Sequence, residues 1–281
     1  MIRRAVFLVL WLWSNPAVAE PPRIVTAGGA VTEIVAALGA APKLVGIDLT
    51  STYPPTLSGL PRVGYLRNLG AEGTLSLRPT VVIASSEAGP PATLDRLREA
   101  GIAVHVLAEP LDGEMAARRI ADIAALLSRQ GDGEALVGRL RAELAGLDRW
   151  RDGLATRPRV LFLLSVGQGP MLAGGRNTPA DAMIRLAGGT NAAASLDGYK
   201  PVSAEAALGM APAVVLTTER TVALSGGREA LLALPAIAAT PAARDRRLIA
   251  MDGLYLLGFG PRLPEALKQL GAALHPERPP S

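Results

Sequence analysis

Two distant stretches of this 281-residue chain read alike: "LGAEGTLSLRPTVVIAS" at 69–85 and "VSAEAALGMAPAVVLTT" at 202–218. Each runs Ala-Glu, then Leu three residues after the Glu, then Pro seven after it, then a Val-rich run. Glu72 thus matches Glu205, and Pro79 matches Pro212. Proline cannot continue a helix, so the repeated unit is a short helix that stops before a Pro and feeds a buried strand. A weaker echo links "TEIVAALG" at 32–39 with "ADAMIRLAGG" at 180–189. A chain that repeats such units is constrained to build two related lobes. Lobes that face each other leave a cleft, and clefts between domains are where small ligands bind.

The remaining pattern fits an α/β chain with largely parallel sheets. Short β-branched runs predict buried strands over 23–27, 80–84, 103–107, 159–164, 213–217 and 247–250. Helical periodicity predicts helices over 30–38, 92–100, 179–187 and 263–274. Strands alternating with helices argue for parallel sheets. From 112 to 156 there is no strand signal, only helical periodicity broken at Gly131-Asp132-Gly133. The second piece, 134–155, predicts a charged surface helix of about 33 Å, crossing between lobes. Thr178, Pro179 and Asp181 read as the cap, first and third positions of a helix start. The expected organisation is a leader over 1–19, an N-terminal α/β lobe over 20–111, a helical linker over 112–156 and a C-terminal α/β lobe over 157–281.

The leader reads as a secretory signal peptide: Arg3 and Arg4, an apolar run over 5–13, then Ala17-Val18-Ala19 as the cleavage site. The run is too short to span a bilayer. With no cysteine, the chain has no disulfides, no thiolate metal site and no lipid anchor. Export without an anchor points to the periplasm. Half of the formal charge of +4 lies in the leader, and aromatics are only 4% of the chain. A basic stripe with stacking aromatics is therefore missing, which argues against nucleic-acid binding.

No G-x-S-x-G, Walker loop or H-E-x-x-H occurs, so no enzyme signature is present. "TAGGAV" at 26–31 reads as a tight strand-to-helix turn rather than an anion cradle. The two histidines offer little: His105 sits within an apolar strand, and His275 near the Pro-rich tail reads as solvated. Glu72 and Glu205 either complement a helix dipole or dock on basic sockets of a two-fold partner, and both readings stand.

Tyr65 is different. It follows Gly64 in a loop, with Arg67 two residues on. In an extended segment those side chains point the same way, and a neighbouring guanidinium favours the phenolate. A phenolate is a hard anionic oxygen suited to ferric iron, and tyrosine serves as an axial haem ligand.

Five segments together, "RIVTAGGAVTEIVAALG", "LPRVGYLRNLGAEGTLSLRP", "GGRNTPADAMIRLAGGTNAA", "GYKPVSAEAAL" and "LYLLGFGPRLPEAL", resemble the haem-binding periplasmic proteins of bacterial haemin ABC transporters. The resemblance covers nearly the whole chain after the leader. It implies a class III periplasmic binding protein, like the helical-backbone metal receptors: two α/β lobes joined by one long helix, with little hinge motion. It implies a monomeric, non-catalytic binder that carries ferric haem to the permease dimer of an ABC importer. It makes Tyr65 the axial iron ligand, Arg67 its supporting cation, and Glu72 and Glu205 the acids that meet the permease. It places Arg176, Tyr199, Lys200 and Tyr255 near the cleft. A ferric siderophore or a corrinoid on the same fold is the alternative cargo. Some relatives add a histidine in the segment matching Ser165–Pro170. "SVGQGPM" has none, so Tyr65 is expected to be the only protein ligand, with Met171 too soft a donor for this iron.

Overall fold

A computed structural model describes residues 22–164, 170–235 and 237–280. The leader expected over 1–19 lies outside the described residues. The first lobe holds β1 (Ile24–Ala27), α1 (Gly29–Ala37), β2 (Leu44–Ile47), β3 (Gly64–Tyr65), β4 (Asn68–Leu69), α2 (Ala71–Ser76), β5 (Val81–Ser85), α3 (Pro91–Glu99) and β6 (Ala103–Leu107). Two helices follow, α4 (Gly113–Leu126) and α5 (Gln130–Asp152). The second lobe begins with β7 (Arg159–Leu164), β8 (Leu172–Gly174), α6 (Pro179–Leu186), β9 (Thr190–Asn191), β10 (Tyr199–Pro201) and α7 (Ala204–Met210). It continues with β11 (Val214–Thr218), α8 (Glu219–Leu224), α9 (Arg228–Leu232), α10 (Pro241–Arg244), β12 (Leu248–Met251), α11 (Gly253–Leu257) and α12 (Leu263–Leu274).

The first sheet has the order β2-β1-β5-β6 and is parallel throughout. The second has the order β10-β8-β7-β11-β12, with β9 beside β7. There β7, β11 and β12 run parallel, β8 runs antiparallel to β7, and β10 pairs antiparallel with β8 and so runs with the others. The central strands β1 and β11 are buried at every position, as their unbroken apolar runs require of strands covered on both faces. β6 corrects its expectation. It is an edge strand, none of its residues is buried, and Val106 is 42% exposed.

The lobes share one hydrophobic core. Ile24, Val31 and Ile34 of the first lobe, Ile120 and Leu140 of α4 and α5, and Phe162, Met183 and Leu267 of the second belong to a single cluster. Each sheet has a smaller cluster on its other face, around Val82 and Leu97 in one lobe and Leu161 and Val215 in the other. Strand alternation does the sorting: Val160 and Phe162 join the shared core, Leu161 and Leu163 the outer one. A core continuous across both lobes resists hinge opening, because opening would expose buried apolar surface.

α5 is the long connecting helix, 23 residues packed on α4 and on α12. The break before it falls at 127–129, not at Gly131-Asp132-Gly133. Ser128 takes the left-handed φ of 53°, and the Gly-Asp-Gly opens α5 itself. Gly133 is there for close packing: a Cβ would lie 2.4 Å from the Cβ of Ala124 in α4.

The repeat is built as expected, with an addition. α2 and α7 each stop before a Pro, at Arg78 (φ 47°) and Ala211 (φ 43°). Arg23, just before β1, donates to the carbonyls of Leu77 (2.8 Å) and Arg78 (3.0 Å) at the end of α2. Arg159, opening β7, donates twice to the Met210 carbonyl (3.0 and 2.8 Å) at the end of α7. Each arginine carbonyl in turn accepts, at 2.9 Å, the amide that follows the Pro: Thr80 in one lobe, Ala213 in the other. A cation there complements the negative end of the helix.

His275 is also corrected. It is 1% exposed, with its ring edge-on to Trp150 and Nε2 3.2 Å from the Gly188 carbonyl. The C-terminal segment folds back over α5, so sequence proximity to the tail does not mean solvent.

Candidate ligand cleft

Tyr65 sits on a two-residue hairpin. β3 and β4 pair antiparallel, Gly64 with Leu69 and Tyr65 with Asn68, which leaves Leu66 and Arg67 as the turn. Gly64 has φ 109°, and a Cβ there would lie 2.7 Å from the Asn68 carbonyl, so the position requires glycine. The loop after β5 braces the hairpin, with Leu69 N–H donating to Gly89 O (2.7 Å) and Gly89 N–H to Leu66 O (2.9 Å). Tyr65 is left 49% exposed. Leu49, bonded through its N–H to Gly64 O (2.9 Å), is exposed beside it.

Arg67 is therefore not the same-side neighbour expected of an extended strand. It lies in the turn, and its Nη2 donates to Glu87 Oε2 at 2.7 Å. Glu87 is held in turn: its N–H donates to Ser85 Oγ (3.0 Å), and that hydroxyl donates to Glu109 (2.5 Å). Arg119, with a side chain only 3% exposed, meets Glu109 at 3.2 Å. Its Nη2 also donates to the carbonyls of Gly258 (2.5 Å) and Phe259 (3.1 Å) in the other lobe. Burial pulls the Arg119 guanidinium below its ordinary pKa, against the Glu109 charge and hydrogen bond.

Tyr199, on β10, faces this group from the second lobe. Its ring lies edge-on to Phe162, with centroids 6.3 Å apart. Burial first, and the Glu87 carboxylate second, push its hydroxyl up to about 12, against the opposing pull of the Ala180 amide, Arg67 and Thr178. The hydroxyl is thus a neutral donor at physiological pH and a poor phenolate. Alternation along β10 turns the exposed Lys200 to the other face from Tyr199. Arg176 is exposed, on a backbone tied to Leu196 and Gly198.

Tyr255 belongs to a second group, at the lobe boundary. Arg262 forms two 2.9 Å hydrogen bonds with Glu33, its guanidinium 3.6 Å from the Tyr53 ring centre and 4.9 Å from that of Tyr255. Burial raises the Tyr255 hydroxyl, as do Glu265 and Glu33, while Arg262 lowers it. The "TAGGAV" turn is filled by protein: a Cβ on Gly29 would lie 2.6 Å from the Thr50 carbonyl and 2.7 Å from Leu254 Cδ1. It is a packing turn, as read. Met171 packs against the outer core of the second lobe. Residues 165–169, where some relatives carry a histidine, lie outside the described residues.

Glu72 and Glu205 are exposed in the first turns of α2 and α7. Thr178 caps α6, accepting from Asp181 N–H at 3.1 Å. Among the described residues no three His, Asp or Glu side chains gather as a metal site. A cavity of about 470 Å³ lined by Arg151, Arg157, Asp181 and Arg185 lies at the α5–α6 junction, away from Tyr65. Sequence reasoning missed Glu87, Glu33, Tyr53 and Arg262. Only Arg262 had a visible context, in "LYLLGFGPRLPEAL".

The profile of periplasmic binding proteins matches residues 24–254. The chain belongs to that family. Among solved structures, it is similar to the periplasmic heme-binding protein RhuT from Roseiflexus sp. RS-1, with 41% identity and a TM-score of 0.88, covering 91% of this chain and 98% of that one. It is also similar to the periplasmic heme-binding protein BhuT in complex with two hemes, with 44% identity and a TM-score of 0.84, covering 90% and 99%. A cobalamin-binding protein of Halobacterium salinarum is 29% identical, over 93% of this chain and 72% of its own length.

Proposed function

We propose that this chain is exported to the periplasm, its leader removed after Ala19, and captures ferric haem between its lobes with the Tyr65 phenolate on the iron. It then delivers the haem to the two-fold permease of an ABC importer, with Glu72 and Glu205 as docking acids. The observation that supports this reading is the Tyr65 hairpin, a half-exposed phenol on a hydrogen-bonded turn, in a chain more than 40% identical to two solved periplasmic heme-binding proteins. Arg67, two residues on in the hairpin turn, is the nearby cation, Tyr199 donates from the opposite lobe, and Arg176 is the exposed cation for the propionates; Lys200, turned to the other face of β10 from Tyr199, is not assigned to them. Tyr255 supports the wall through Arg262. The protein acts as a monomeric carrier and not as an enzyme.

Titrating the purified mature chain with haemin tests the reading. A Soret band with the charge-transfer features of high-spin ferric phenolate is expected, and Tyr65→Phe should abolish those features. No spectral change with haemin, and a change with cobalamin or a ferric siderophore, would assign the alternative cargo.

A further inference from the structure

Among the described residues the Arg67 guanidinium pairs with Glu87, at 2.7 Å, rather than with Tyr65. The two ends of this pair differ in freedom. The Glu87 backbone is anchored through Ser85 and Glu109 to Arg119 and the lobe boundary. Arg67 stands on a hairpin turn with a side chain 59% exposed, two residues from Tyr65. The long arginine can therefore swing or share its five donors, while the backbone that carries Glu87 stays where the network holds it.

We propose that Glu87 competes with the Tyr65 phenolate for the Arg67 guanidinium, keeping that cation partly neutralised and so weakening the hold on haem. This rests on the reading of Tyr65 as the iron ligand. A phenolate on iron is supported by a nearby cation. A carboxylate 2.7 Å from that cation offsets the support. A carrier that must also release its cargo gains from such a counterweight. Glu87 is thus a positioning residue acting through Arg67.

The test is a double-mutant cycle read by haem transfer to apomyoglobin and by the iron–phenolate stretch in resonance Raman spectra. Glu87→Gln, close in shape and partly exposed, should slow haem release by up to about fivefold, as expected of an exposed ion pair. It should also raise the iron–phenolate frequency. In an Arg67→Ala background the same change should do neither. Unchanged or faster release from Glu87→Gln overturns the proposal, and so does an effect that survives intact without Arg67, which would mean simple repulsion of the propionates. Loss of Tyr65-dependent haem spectra in the unmodified protein would instead strike the functional reading.

Discussion

Arg262 and Glu33 meet across the lobe boundary through two parallel hydrogen bonds of 2.9 Å, and the Glu33 side chain is only 6% exposed. Burial works against the charge on Arg262, but the Glu33 hydrogen bond and charge outweigh it, so its pKa is raised. Arg262→Ala leaves a buried carboxylate without its partner and should destabilise the fold by about 3 kcal/mol in urea unfolding. Replacing both residues by leucine should cost clearly less. If the double variant is as unstable as the sum of the single ones, the two residues are not coupled.

Tyr199 predicts an alkaline signature. Its hydroxyl is raised to about 12 in the folded chain, chiefly by burial, against about 10 unfolded. Below pH ~10 it is neutral in both states and its contribution is fully present. Between pH ~10 and ~12 the unfolded state loses the proton first, so stability falls as pH rises, by up to about 2 kcal/mol. Tyr199→Phe should flatten that part of the stability profile. In the unmodified protein a late tyrosine phase should appear in the ultraviolet difference spectrum, and its latest part should vanish in Tyr199→Phe.

The docking acids allow a test that separates binding from delivery. Glu72→Lys combined with Glu205→Lys should leave haem binding unchanged and reduce uptake into permease-containing vesicles to background. Both side chains are exposed at helix starts, so each change should cost only about 0.3–1 kcal/mol of stability. Uptake that persists would reduce them to helix-end charges.

Gly29 lies close both to Thr50 of its own lobe and to Leu254 of the other. Gly29→Ala forces a methyl group against the Thr50 carbonyl and Leu254, at 2.6 and 2.7 Å. Leu254 can move aside but the carbonyl cannot, so a loss of about 1–3 kcal/mol is expected in the same unfolding measurement.

The parts of the fold legible in the sequence were those with local cause. The runs at 103–107, 159–164 and 263–274 match observed elements end to end. The capped start at Thr178 and the helix-to-strand repeat at Glu72 and Glu205 are likewise present. Misreadings arose where a distant segment decides. Gly133 looked like a break because the α4 surface that requires a glycine is invisible along the chain. His275 looked solvated because Trp150 and Gly188, which cover it, lie far away in sequence. At the candidate site, Tyr65 stood out by residue type and neighbours. Its relation to Arg67 was misjudged because a two-residue turn cancels the alternation that an extended strand would impose. Glu87 had no local signal, being an ordinary acid 20 residues from the arginine it binds.

The matched grips of Arg23 and Arg159 have one more implication. Each lobe's acid-bearing helix is fastened to its own first strand, and those strands lie in one shared core with α5 alongside. The two exposed acids are therefore spaced like the tips of a caliper set by the shared core. If they dock on a membrane partner, as proposed, its sockets should match that separation.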